Sequence, residues 1–214
     1  MAFSAPLARG ENILTSSNIT SHFIENMVTP AEVITALDIA GVDFVLAGAY
    51  ASNVWTGAPR ATTDVDVVVA SRHHRRAVAA LRKAFPRLDV VDQQVVTRFQ
   101  DPGSGRVFVD AMKPKDPITR AVFTHHVVAS VAGHDVRIPD LEMALAMKFA
   151  AMIGIWREIE KKYMDAGDFI SIVKANRKLD LEKLAFLGEL AYSGGGREIR
   201  SLVEDARAGR RLKF

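Results

Sequence analysis

The stretch FVLAGAYASNVWTGAPRATTDVDVVV, residues 44–69, decides how the rest of the chain is read. An apolar run ends at Gly48, a short helix-forming segment follows, and a second apolar run over 65–70 opens on Asp64 and Asp66. Residues two apart on a strand project to the same face, about 7 Å from each other at ~3.3 Å rise per residue. Two ionised carboxylates at that separation repel by about 2 kcal/mol at an effective dielectric of ~20. A strand serving only a stable core would not carry them there. The pattern points to a cation held between them.

Working outward, Thr29-Pro30-Ala31-Glu32 combines an N-cap, a proline at the first helical position and a capping-box glutamate. It predicts a helix from 29 to about 40, stopped by Gly41. Strands are expected at 43–47 and 65–70, with a short helix at 49–55 between them and a helix from Ser71 to Phe85 after them. In that last helix Val78, Leu81 and Phe85 face inward and the basic residues outward. Short β segments follow at 88–99, 106–112 and 122–138, with turns at Asp101-Pro102-Gly103 and Ala132-Gly133. Beyond Pro139 the periodicity is helical, predicting helices at 140–158, 160–175, 180–193 and 195–208.

The expected fold is therefore α+β: a mixed β-sheet flanked by helices, then a C-terminal helical bundle. The expected organisation is an N-terminal arm or helix over 1–28, an α/β core over 29–138 and a helical domain over 139–214. The last residues carry Arg207, Arg210, Arg211 and Lys213 and read as a solvated basic terminus.

Composition bounds the function. At 214 residues, 49% of them hydrophobic and 25% charged, the chain can bury a substantial core. It has no cysteine, which excludes a disulfide framework and any thiolate metal site. No apolar run is long enough to span a bilayer and no secretory signal is evident, so a cytoplasmic protein without a membrane partner is expected. A formal charge of +3 is too small to establish a polyanionic partner.

Three features carry chemistry. Gly48 lies between a buried strand and a helix start, where free N–H groups favour an anion and a missing Cβ lets a phosphate approach. Asp64 and Asp66 share one strand face. Asp110 sits alone inside the apolar strand Val107-Phe108-Val109-Asp110-Ala111-Met112, where an unpaired buried carboxylate is costly. If the two strands are neighbours, all three acids converge. Three oxygen donors suit Mg²⁺, or Mn²⁺ in its place, when substrate phosphates complete the coordination.

The order Gly48, Arg60-x-Thr62-x-Asp64-x-Asp66, Asp110 resembles the nucleotidyltransferase superfamily that includes DNA polymerase β. It resembles most the AbiEii-type nucleotidyltransferases, many of them toxins of toxin–antitoxin pairs. The helical part adds Lys148, Arg157 and Lys161-Lys162-Tyr-Met-Asp165-Ala-Gly-Asp168, so the resemblance runs over about residues 40–175. It implies transfer of a nucleoside monophosphate from an NTP to an acceptor hydroxyl. Asp64, Asp66 and Asp110 would be the metal-binding and catalytic acids. Gly48, Ala49, Arg60, Thr62, Lys148 and Asp165 would be the nucleotide-binding residues. Ala49 stands where the family usually has Gly or Ser. Implied partners are an NTP, an RNA acceptor such as tRNA or a small molecule, and a cognate antitoxin protein.

Other readings of the same residues stay open. Asp110 can instead pair with Arg98 or Arg106 across the sheet, and Arg157 can form a salt bridge to Asp165. Arg60 shapes its loop or pairs with an acid. His73-His74 and His125-His126 read as surface or edge residues, and Trp55, Trp156 and Tyr163 as core or interface or, less favoured, as rings that stack on a base. A small-molecule nucleotidyltransferase, for example an antibiotic-modifying one, and a non-catalytic nucleotide-binding relic remain the alternatives.

Overall fold

The structure is a computed structural model that describes residues 28–214, so the expected N-terminal arm falls almost wholly outside the described residues. Helix α1 (Pro30–Ile39) starts at the capping box foreseen from sequence, with the Thr29 side chain accepting from the Glu32 N–H and Glu32 reaching back to the Thr29 N–H. Strand β1 (Phe44–Leu46) and helix α2 (Gly48–Ser52) follow, then β2 (Val65–Val69). A 3₁₀ turn (Ser71–His73) leads into α3 (His74–Ala84). The antiparallel strands β3 (Asp89–Asp92), β4 (Val96–Gln100) and β5 (Val107–Met112) complete a five-stranded sheet in the order β1-β2-β5-β4-β3. Only the central β2–β5 pair is parallel.

A short helix α4 (Pro117–Ala121), capped by Asp116, was not foreseen. It precedes a separate hairpin of β6 (His126–Val131) and β7 (His134–Pro139). Four helices close the chain: α5 (Leu141–Ile153), α6 (Ile159–Ala175), α7 (Leu181–Glu189) and α8 (Gly195–Arg207). The helix expected over 140–158 stops at Ile153, because Gly154 takes an extended ψ of 117°.

Strand alternation divides the molecule into layers. Val65, Val67 and Val69 of β2 pack with α1, α3 and the hairpin through Leu37, Ala77, Leu81 and Ile138. Val68, between them in sequence, joins the opposite cluster with Met143, Phe149 and Phe169 of the C-terminal helices. The period of two along a strand thus sends one side to the helices before the sheet and the other to the helices after it. Helix α5 is buried almost all round and is the axis of the second layer.

One expectation needs correction here, and another gains detail. The C-terminal tail is docked rather than merely solvated: Leu212 is buried and Arg210 pairs with Asp205 at 2.7 Å. His73 and His74 are half-buried, with His73 Nδ1 accepting from the Asp43 N–H and His74 Nε2 bonded to Thr97 Oγ1. For the two histidines, a polar group beside a strand end or sheet face found a partner that local pattern does not reveal.

The α7–α8 contact depends on glycine. A Cβ on Gly188 would lie 2.7 Å from the Gly195 carbonyl oxygen and 2.8 Å from Ile199 Cγ2. On Gly167, exposed on α6, a Cβ would meet nothing within 4 Å. Gly188→Ala should lower stability by about 1–3 kcal/mol through overpacking, whereas Gly167→Ala should raise it by up to about 1 kcal/mol through helix propensity. Thermal unfolding of the two variants checks the opposite signs.

Candidate active site

Parallel pairing of β2 with β5 sets Asp66 directly beside Asp110 in register. Asp64 lies one step before β2, and its Oδ1 accepts a hydrogen bond from the Thr62 hydroxyl. All three acids line one cleft of about 640 Å³, together with Gly48, Ala49, Arg60, Thr62, Lys148 and Asp165. Every residue assigned to the site from sequence therefore reaches the same cavity, although they come from β2, β5, α2, the 53–64 loop, α5 and α6.

Gly48 has a stronger reason to be glycine than phosphate approach. Its φ is +61°, and a Cβ there would lie 1.8 Å from Asp66 Oδ2. The Asp66 carboxylate fills the space a side chain would need, and the Ala47 N–H donates to the Asp66 carbonyl oxygen at 2.8 Å. Helix α2 is only five residues long, so little of a helix dipole is available there, contrary to the weight the sequence reading put on it.

Burial first, then the charges of Asp64 and Asp110, push the Asp66 carboxyl up to about 7, against the weaker pull of Lys148 and Arg157. Burial also raises Asp110, opposed chiefly by the Arg98 guanidinium. Arg98 stands across from Asp110 on β4, as one sequence reading allowed. Its Nε lies 3.4 Å from Asp110 Oδ1, close enough for attraction, yet neither atom has a hydrogen-bond partner. Such a pair leaves Asp110 short of full compensation.

The three acids do not form a closed ligand set. Among the described residues no group of three or more His, Asp or Glu side chains is arranged to hold an ion by itself. Asp64 turns to Thr62, Asp110 faces Arg98, and mutual repulsion opposes closer approach. Even so, the donors fit a hard divalent cation. Two adjacent buried carboxylates, one with an orphaned oxygen and one held high, gain most from such an ion. Mg²⁺ commonly takes one or two carboxylates and completes its coordination with substrate phosphates and water.

The opposite wall is an ion network. Arg60 donates to Asp168 through Nε (2.9 Å) and Nη2 (3.2 Å). Lys148 Nζ bridges Asp168 (2.7 Å) and Asp165 (3.0 Å), and Arg157 Nη2 closes the chain on Asp165 (2.6 Å). Lys148, expected to want an anionic partner, already has two from the protein, because a buried ammonium cannot stay unpaired. Asp165 is 3% exposed and engages both Lys148 and Arg157, so it orients cations towards the cleft more than it offers a free carboxylate. The salt bridge to Arg157 foreseen for it is present.

Asp168 is the residue the sequence reading did not assign to the site. Its cation partners hold its carboxyl below the usual range, against the opposing effect of burial. Its signals were its place one helical turn after Asp165 and at the end of the run Lys161–Asp168 that carries part of the resemblance. Three cations against two anions leave this wall net positive, facing the acids across the cleft. Trp156 is 94% exposed in the loop after α5, so of its readings the core one falls.

No protein-family model matches the chain, and no curated protein matches it. Solved structures do. The solution structure of the antibiotic-resistance factor ANT(2'')-Ia aligns over 84% of this chain and 95% of its own, at 14% identity and a TM-score of 0.52. An antigenic nucleotidyltransferase-like protein from Paracoccidioides brasiliensis covers 81% of this chain and 90% of its own, at 20% identity and a TM-score of 0.47. The lincomycin-bound lincosamide antibiotic adenylyltransferase LnuA covers 69% and 99%, at 14% identity and a TM-score of 0.45. At these identities the likeness is one of fold, and the first of the three carries it: the chain has the α+β nucleotidyltransferase-type fold expected from its sequence.

Proposed function

We propose that the protein is a divalent-metal-dependent nucleotidyltransferase, moving a nucleoside monophosphate from an NTP to an acceptor hydroxyl. The observation that carries this reading is the side-by-side placement of Asp66 and Asp110, with Gly48 making room for the first. Asp64, Asp66 and Asp110 would hold Mg²⁺, which when bound supplies charge neutralisation at the reacting phosphate and the departing pyrophosphate. The acceptor oxygen forms a bond to the α-phosphorus while the bond from that phosphorus to the bridging oxygen of the β-phosphate breaks. Asp110, its carboxyl raised by burial, takes the hydroxyl proton. The net-positive wall of Arg60, Lys148 and Arg157 orients the triphosphate, with Asp165 and Asp168 fixing those cations.

The resemblance to AbiEii-type proteins favours an RNA acceptor such as tRNA, and a toxin role with a cognate antitoxin as partner. The fold likeness to ANT(2'')-Ia, over 95% of that protein, favours a second reading, modification of a small molecule such as an antibiotic. Incubation with each labelled NTP, Mg²⁺ and either total tRNA or a panel of aminoglycosides and lincosamides separates them. Label in RNA supports the first, label in a drug the second, and tight NTP binding without any label the non-catalytic relic.

Asp64→Asn, Asp66→Asn and Asp110→Asn should each lower transfer by at least about 10²-fold while circular dichroism stays unchanged. Gly48→Ala should do the same by displacing the Asp66 carboxylate. Wild-type transfer by any of the four would overturn the assignment of that residue.

Stability should follow the raised Asp66 carboxyl. Between the ordinary carboxylate range and about 7, folded protein keeps a proton that the unfolded chain has released. In divalent-free buffer Tm should therefore fall as pH rises from about 4 to about 7 and level off above. Asp66→Asn should flatten that slope, and Mg²⁺ should raise Tm most on the alkaline side, where it need not displace a proton.

A further inference from the structure

The segment SRHHRRAVAALRKAFPRL, residues 71–88, contains Arg72, Arg75, Arg76, Arg82, Lys83 and Arg87 and no acid. On α3 and its leading 3₁₀ turn these residues fall into order. His74, Ala77, Val78, Leu81 and Phe85 recur at helical spacing on the inner side, with Ala77 and Leu81 fully buried. Arg72, Arg75, Arg76, Arg82 and Lys83 form the outer stripe, all exposed, and Arg87 extends it past the helix end. Arg72 pairs with Asp43 at 2.6 Å and Arg76 donates to the Gly41 carbonyl oxygen. Among the described residues Arg75, Arg82, Lys83 and Arg87 have no ion pair.

This arrangement runs against two local rules. Arg75 and Arg76 occupy the first turn of α3, where the helix dipole disfavours cations, and the first turn has no acid. Like charges one turn apart, Arg72 with Arg75 and Arg76, repel further. A helix placed only to cover the sheet has no use for either. From residue 72 to 83 the stripe runs about 16 Å at 1.5 Å per residue, over which one strand of a duplex presents about five phosphates.

We propose that the outer face of α3 is a docking surface for the phosphate backbone of RNA. Five of the six cations are arginine, whose planar fork matches phosphate oxygens. The apolar side of α3 is already committed to the core, so no amphipathic face remains for insertion into lipid. The stripe also lacks the apolar centre around which protein interfaces are built.

Its position suits a large acceptor. Helix α3 packs on the Val65, Val67 and Val69 side of β2, whereas Asp66 and the cleft lie on the other. An RNA can touch both; an antibiotic cannot. The inference thus rests on the nucleotidyltransferase reading for the meaning of the second contact, but not for the first.

The test uses the full chain and unfractionated tRNA, with binding followed by fluorescence anisotropy between about 50 and 300 mM salt, a range over which phosphate contacts weaken strongly. The variant Arg75→Gln/Arg82→Gln/Lys83→Gln should bind at least about 10-fold more weakly at low salt, with the slope of log K against log salt reduced by about 2. Its Tm should stay at or above wild type, since repulsion is relieved. Unchanged affinity and slope in the triple variant would overturn the proposal. So would equal loss of binding to poly-L-glutamate or to phosphatidylserine vesicles, which would assign the surface to an acidic protein or a membrane. If the triple variant loses tRNA binding yet wild type labels no RNA, the surface stands and the acceptor reading falls. If wild type labels tRNA and the variant binds it normally, only the surface falls.

Discussion

Asp66 and Asp110 stand shoulder to shoulder because β2 and β5 run parallel, and nothing among the described residues neutralises both. Arg98 attends to Asp110 without a hydrogen bond, and Lys148 and Arg157 reach Asp66 only at a distance. Two carboxylates in such surroundings repel, and burial sharpens the repulsion. The sheet tolerates them because its other side is closed by the uninterrupted apolar contacts of Val65, Val67, Val69, Val109 and Ala111. Gly48 is shaped to the same end, since its missing side chain is the space Asp66 occupies. The repulsion between the two acids is thus held in place by a core that does not depend on them.

The opposite wall solves the converse problem. Lys148 and Asp165 are nearly inaccessible, and single removal of a buried ionic partner of this kind typically destabilises by about 3–5 kcal/mol. Arg60, Asp168, Lys148, Asp165 and Arg157 satisfy one another in sequence and fasten the 53–64 loop to α5 and α6. The loop that leads into Asp64 is therefore positioned by residues a hundred positions further on. The three acids and the cations of this network face each other because the C-terminal helices pack on the Val68 side of the sheet.

Much of this was legible in the chain itself. The strand–glycine–helix–strand order, the paired acids and the lone Asp110 follow from period and composition, and the capping box marked α1 to the residue. What was not legible depends on partners distant in sequence. Periodicity says which face a strand residue takes but not which strand lies beside it, so the Asp66–Asp110 register had to be seen. Asp168 stood out as the last acid of the Lys161–Asp168 run, but its pairing with Arg60 and Lys148 depends on the fold. The end of α5 at Gly154 and the short α4 were set by packing and backbone conformation, which outweigh the pattern over four or five residues.

The account stands or falls on where the metal and the nucleotide go. A crystal structure with Mn²⁺ and a non-hydrolysable NTP analogue, read through the anomalous signal of manganese, is the most direct measurement. The account predicts an anomalous peak in contact with Asp66 and Asp110, with Asp64 beside it and the triphosphate reaching towards Lys148 and Arg157. Manganese elsewhere, or a triphosphate bound away from these three acids, would contradict it.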